Sequence, residues 1–292
     1  MYRQGIKAFS SIPLPKGYSI YDNARPDYPI HAFFKLKDFL HRSDRPHSAL
    51  YDVVEIGAGQ GKLTRALKRA LPKHTRFAAV EADADLRTEF QHFISGVPVF
   101  DGSASNTSLP DESVCNIAIG HSFHYMESKN ALDEFHRILV PNGRLGIMLN
   151  KGDFNVCPFM QEVERILKSF NAAYVPNQSS RELEDIFHER PFLFTPMQSE
   201  RISTVHSASV DGIVNYLMST CVISNLSHRR QTDVRLSISR LIETNPDVRI
   251  ENGQHMLDLP CEVEFHWVEK REVLSPLSVE HTTQESGAKQ SC

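Results

Sequence analysis

The stretch from Tyr51 to Thr64, YDVVEIGAGQGKLT, constrains this chain more than any other. Its β-branched apolar residues Val53, Val54 and Ile56 favour an extended strand, and the following LTRALKRAL is made of helix formers with its leucines on one side. Gly57, Gly59 and Gly61 stand between the two at alternate positions. The expected unit is a strand, a tight turn and a helix. Its turn is free to adopt positive φ and bare enough for a ligand to lie against the backbone.

The residues around the turn narrow the ligand. A dinucleotide fingerprint would read G-x-G-x-x-G, whereas this loop reads G-x-G-x-G and is preceded by Glu55. A carboxylate there repels a pyrophosphate and attracts an amino group or a sulfonium. A second apolar run, RFAAV, ends in Glu81 followed by Ala82 and Asp83. An acid at that strand end can accept from both hydroxyls of a ribose. A nucleoside with a positively charged tail satisfies both acids.

On these residues the chain resembles the class I S-adenosylmethionine-dependent methyltransferases, and further motifs follow in the family's order over roughly residues 50 to 150. Asp101-Gly102-Ser103-Ala104 with Leu109-Pro110-Asp111 is similar to the adenine-side loop, IAIGHSFHY to the fourth strand and cofactor floor, and EFHRILVPNGRLGIMLN to the helix, turn and fifth strand. The resemblance implies an α/β fold, a doubly wound, mostly parallel seven-stranded Rossmann-like sheet with helical cap insertions. It implies S-adenosyl-L-methionine as cofactor and S-adenosyl-L-homocysteine as product. The implied cofactor contacts are Glu55, Gly57, Ala58, Gly59, Gly61, Glu81 and Ala82, with Ser103 and Ala104 against the adenine and His121 on the floor. Tyr21 to Pro29 resembles the Y-x-x-x-R-P-x-Y-P segment of a small-molecule group that includes the trans-aconitate methyltransferases. That likeness would set Tyr21 beside the sulfonium and Arg25 on the methionyl carboxylate or an acidic substrate; a plain lid anchored by an aromatic and a surface cation is the other reading. The acid or asparagine followed by Pro-Pro-Tyr, borne by methyltransferases acting on adenine or glutamine, is absent here.

Composition closes off other classes. A formal net charge of -4 with interspersed signs gives no field for gathering phosphates, so nucleic acid is not an expected partner. The five cysteines are scattered without C-x-x-C spacing, which indicates neither a disulfide framework nor a zinc site. No run of apolar residues reaches spanning length, and the N-terminus has no signal-like stretch. A cytoplasmic protein without a membrane or metal partner is expected; the sequence leaves its oligomeric state open.

Four regions are expected along the chain. Residues 1–28 form an arm or lid, and 29–150 the cofactor-binding core. Residues 151–272 supply the last two strands, near Phe192 to Ile202 and Cys261 to Val268, with helical cap insertions, and the Ser/Thr/Gln/Glu-rich 273–292 is an unstructured tail. Within the core, helices are expected from Ile30 to His41, Asp83 to Ser95 with Asp83 as N-cap, and Glu127 to Val140, and strands at Phe77 to Val80, Val97 to Phe100, Val114 to Ile119 and Leu145 to Leu149.

Methyl transfer from a sulfonium is a direct displacement that needs alignment more than a triad. A carboxylate acceptor requires no base, whereas an alcohol or phenol benefits from one. His121 and His124, at the end of the fourth strand, are the candidates, sharing a face if the chain turns helical there; shaping the floor is the alternative role. Asp153, Phe154 and Asn155 follow the fifth strand and are further candidates for facing the acceptor. The expected activity is O-methylation of a carboxylate or hydroxyl on a small organic molecule. The alternative is a cyclase or isomerase of secondary metabolism that binds the same cofactor without transferring methyl.

Overall fold

The computed structural model describes residues 28–40, 49–123, 126, 128–170, 178–219, 223 and 226–272. Strands β1 (Tyr51–Ile56), β2 (Phe77–Glu81), β3 (Val99–Asp101), β4 (Val114–Gly120) and β5 (Leu139–Gly152) alternate with helices α2 (Lys62–Ala70), α3 (Ala84–Phe93) and α4 (Ser128–Ile138), after an opening helix α1 (Ile30–Leu40). There follow α5 (Pro158–Phe170), α6 (Gln178–His188), β6 (Gln198–Ser209), α7 (Val210–Met218), α8 (His228–Glu243), β7 (Arg249–Glu251) and β8 (Gln254–Glu269). The sheet order is β3-β2-β1-β4-β5-β8-β6, with β7 paired to β8 alone. Strands β1 to β5 are mutually parallel, and β8 runs antiparallel to β5, β6 and β7. Because the first strand lies at the centre and the order reverses beside it, β1 and β4 part at their carboxyl ends, where α/β sheets bind ligands.

Alternation in the strands explains the layers. In β1, Val54 and Ile56 join the core under α4 and α6, while Val53 joins Leu36 of α1 and Leu67 of α2 on the opposite face. The central strands are buried on both faces, which is why they read as continuous apolar runs. Asp83 caps α3 as expected, its side chain accepting from Asp85 N at 2.9 Å and Leu86 N at 3.0 Å. A separate core joins α5, α7 and α8 to the far ends of β6 and β8 through Met160, Ile213, Val234, Ile238 and Leu259. This is the helical cap.

Several expectations need correction. Among the described residues the sheet has eight strands rather than seven: Asn252 and Gly253, both at positive φ (51° and 78°), make a two-residue turn that folds β7 back on β8. Paired left-handed residues match the twist of a hairpin, and Asn-Gly suits them. The strand expected near Phe192 to Ile202 is β6, which starts at Gln198; the Phe192 side chain is exposed in a turn. Its QSERISTVHSAS sequence has no apolar run to announce it; pairing along its whole length with β8 makes it a strand. Leu139 and Val140 belong to β5 and not to α4, because Leu139 pairs with Val114 before the register shifts between Val114 and Asn116. Strand β8 is longer than expected and places Glu264, wholly buried, against Lys151 at 2.6 Å and Arg201 at 3.0 Å. Among the described residues no helix is long and apolar enough to cross a membrane. The arm and the tail lie outside the described residues, apart from Tyr28.

Candidate active site

The carboxyl ends of β1, β2, β4 and β5 open into a cavity of about 920 Å³. Its base is the glycine turn, and the three glycines serve different purposes. Gly57, Gly59 and Gly61 all have positive φ (67°, 54° and 84°). A Cβ on Gly59 would meet nothing within 4 Å, so this residue keeps the loop bare toward the cavity. A Cβ on Gly57 would lie 2.7 Å from Ser122 Oγ, and one on Gly61 2.5 Å from Ile94 Cγ1. Gly61 therefore lets α2 pack against α3 and does not line the cavity; it is a packing residue.

Two carboxylates expected from sequence reach the cavity, both almost fully buried. Glu81 Oε2 accepts from Gly59 N at 2.8 Å and its Oε1 from Asp83 N at 3.0 Å. The acid is thereby fixed beside the loop with further lone pairs for a ligand. Glu55 accepts from the Thr64 hydroxyl in the first turn of α2. Gln60 of the loop donates to Glu89 on α3, and both line the cavity. Ala58, Ala82 and Leu86 supply apolar surface between the acids.

The loop bearing Ser103, Ala104 and Ser105 forms another wall. It is tied down from outside the cavity, through Glu134 of α4. Glu134 Oε1 accepts from Thr107 N at 2.7 Å and Thr107 Oγ1 at 2.6 Å, while Arg137 donates to Glu134 Oε2 at 2.7 Å and to Leu109 O at 2.7 Å. Burial pushes the Glu134 carboxyl up, but the bonds from Arg137 and Thr107 outweigh it and hold its pKa below the usual range. The bond to Glu134 is the main reason that the Arg137 guanidinium is raised in turn.

At the end of β4 the chain turns sharply. His121 lines the cavity with φ of +59°, in the left-handed region, so it begins no helix; its N–H donates to Met148 O at 2.9 Å. His124, expected to share a face with it, lies outside the described residues, as do Tyr21 and Arg25. Asp153, Phe154 and Asn155 do not line the cavity: Asp153 Oδ1 accepts from Asn155 N at 3.1 Å, and Phe154 packs on the cap core.

The fold adds residues that sequence reasoning did not assign to the site. Tyr28 lines the cavity, and its hydroxyl oxygen lies 2.6 Å from where a Cβ on Gly120 would stand, so glycine at the end of β4 makes room for it. Asn150 comes from β5 and Tyr216 from the cap helix α7. Lys62 and Met126 complete this part of the lining. Only Tyr28 carried a signal, as the second tyrosine of the Y-x-x-x-R-P-x-Y-P segment. Tyr216 lies far along the chain from the glycine turn, in a helix whose local pattern says nothing of a ligand.

Comparison with known proteins points to one family. A family model described as a methyltransferase domain matches residues 54–147, the segment that holds the glycine turn, both acids and β4. The matched segment and the fold support a class I S-adenosylmethionine-dependent methyltransferase. An uncharacterized methyltransferase of Schizosaccharomyces pombe is 26% identical to it over 226 residues, covering 77% of this chain and 85% of the relative. One of Mycobacterium bovis is 24% identical over 83% of this chain and 90% of its own length. The YcgJ protein of Bacillus subtilis shares the fold with a TM-score of 0.52 at 16% identity, over 84% of this chain and all of that one (100%). The relatives are named as methyltransferases, which does not favour the cyclase or isomerase alternative.

Proposed function

We propose that the protein transfers a methyl group from S-adenosyl-L-methionine to an oxygen, carboxylate or hydroxyl, of a small organic molecule, leaving S-adenosyl-L-homocysteine. One observation carries the donor assignment: two buried carboxylates, Glu55 and Glu81, flank a turn whose central glycine faces open space. Glu55 suits the cationic amino acid end of the donor, and Glu81, held by two backbone amides, suits the ribose hydroxyls. The adenine has an apolar slot between Ala82, Leu86 and Ala104. The donor, when bound, supplies an electrophilic methyl on a sulfonium.

The chain's own part is to align and enclose. The cavity is at the large end of the range of roughly 300–1,000 Å³ usual for small-molecule sites, which suits a donor and an acceptor together. His121, which lines the cavity at the strand end, is the candidate base if the acceptor carries a hydroxyl. Calorimetric titration with adenosylhomocysteine tests the donor site, and release of label from methyl-tritiated donor into a panel of acids, phenols and alcohols tests transfer. Absence of adenosylhomocysteine binding refutes the donor assignment; binding without transfer to any oxygen acceptor refutes the acceptor assignment.

A further inference from the structure

The cap contributes one described side chain to the cavity, Tyr216. Its setting is unlike that of a surface lid residue. It is 7% exposed, packed in the cap core with Ile213 and Leu217, and its ring meets the His206 ring of β6 edge-on, with centroids 5.7 Å apart and planes at 71°. The ring is therefore held against β6 while the residue borders the cavity. Ser209 fixes the start of α7 by accepting from Gly212 N at 3.1 Å, which anchors the helix on which Tyr216 rides. A side chain so fixed loses little entropy when a ligand comes against it.

The other residues of this half of the lining are a ring, a thioether, hydrogen-bonding side chains and one cation, Lys62. Tyr28 reaches in beside Gly120, Met126 presents a thioether, and His121, Ser122 and Asn150 offer hydrogen-bonding groups. Rings and a thioether favour a flat aromatic partner. The carboxylates and ammonium groups of the described lining are three acids, Glu55, Glu81 and Glu89, with one lysine, Lys62, so a neutral acceptor enters against less repulsion than an anion.

Resting on the methyltransferase reading above, we infer that the acceptor is a neutral hydroxylated aromatic ring of the phenol class, and that Tyr216 is the residue that selects it. Acceptor choice in this protein is then made by the cap helix α7, while the donor is bound by β1, β2, the first turn of α3 and the loops that follow β1, β2 and β3.

The test uses the full chain and a panel of three matched sets: phenols and naphthols, the corresponding cyclohexanols, and the corresponding benzoates and naphthoates. The unmodified protein is expected to methylate the phenolic set in preference to both others. In Tyr216→Leu the KM for the best phenol should rise about tenfold, the upper end for the loss of one aromatic pair, with kcat changed far less. Tyr216→Phe should restore KM to within about threefold because it keeps the ring. Adenosylhomocysteine affinity, read by calorimetry, should be the same in all three proteins. Equal use of cyclohexanols or of carboxylates, no transfer to any phenol, or an unchanged KM in Tyr216→Leu overturns the inference. If Tyr216→Leu does not fold, the Tyr216→Phe kinetics and the preference of the unmodified protein decide. Loss of this inference leaves adenosylhomocysteine binding intact; failure of the donor assignment abolishes that binding in the unmodified protein.

Discussion

In Glu81→Ala the two backbone amides that now meet a carboxylate, Gly59 N at 2.8 Å and Asp83 N at 3.0 Å, lose their acceptor. Gly59 lines the cavity and Asp83 is exposed, so water can replace the carboxylate at both amides and the fold is expected to persist. Donor binding is expected to suffer twice. A hydrogen bond to a charged group contributes about 1.5–3 kcal/mol, and two ribose hydroxyls are at stake, so even the lower figure for both gives about 3 kcal/mol, roughly a hundredfold in affinity. The glycine turn also loses the contact that holds Gly59 in place, which adds to the cost of ordering the loop around a ligand. Glu81→Gln should fall between, since an amide keeps one accepting oxygen but turns an NH₂ toward one of the two backbone donors. The assay is calorimetric titration with adenosylhomocysteine, with circular dichroism as the check on folding. An affinity in folded Glu81→Ala within threefold of the unmodified protein would refute the placement of the ribose.

The glycines give a second test. Gly59→Val should fold, at a cost of about 1–3 kcal/mol for positive φ in a residue with a side chain, yet lose adenosylhomocysteine binding; Gly61→Ala should lower the thermal midpoint further, because its Cβ also meets Ile94 at 2.5 Å. Equal thermal midpoints for the two variants would contradict this division of roles. Removing the brace in Glu134→Ala should destabilise by about 3 kcal/mol in urea unfolding, since it leaves both buried Thr107 donors without their acceptor, while Arg137 keeps Leu109 O and Asp111. The same carboxyl sets a pH dependence: held below its unfolded value of about 4.3, it contributes stability fully above that value and loses it as pH falls through the lower folded one. Urea midpoints measured downward from pH 6 should therefore drop more steeply in the unmodified protein than in Glu134→Gln. Burial pushes the Cys261 thiol up to about 12, so peptide mapping after alkylation at about pH 8 should find Cys261 unmodified in the folded protein and modified in urea.

Much of the donor half was legible in the chain because its signals are local. A strand, its turn and the residues just beyond it are covalently adjacent, so Glu55, Gly59, Glu81 and Ala82 reach the cavity as soon as β1 and β2 lie side by side. Gly61 shows the limit of that reasoning: its spacing placed it with the ligand-facing glycines, but only the packing of α2 against Ile94 and Phe90 shows what its missing Cβ is for. The hairpin at Asn252-Gly253 is also written in its dipeptide, although no strand was expected before it. The edge strand β6 was legible only in part: a strand was expected near Phe192 to Ile202, but it runs from Gln198 to Ser209, where a polar edge has no apolar run and pairing with β8 sets its length.

By itself the sequence determined the parallel α/β core, the glycine turn and the two acids beside it. Each of these rests on short-range backbone preference and on apolar periodicity, which neighbouring residues express without help. Only the tertiary structure decided which side chains share the cavity from afar: Tyr28 beside Gly120, Asn150 from β5, Tyr216 from the cap, and Glu134 bracing a loop 27 positions away in sequence. Those meetings follow from the order of the strands and the docking of helices. Contacts of that kind are fixed by how whole elements pack, and no stretch of neighbouring residues encodes them.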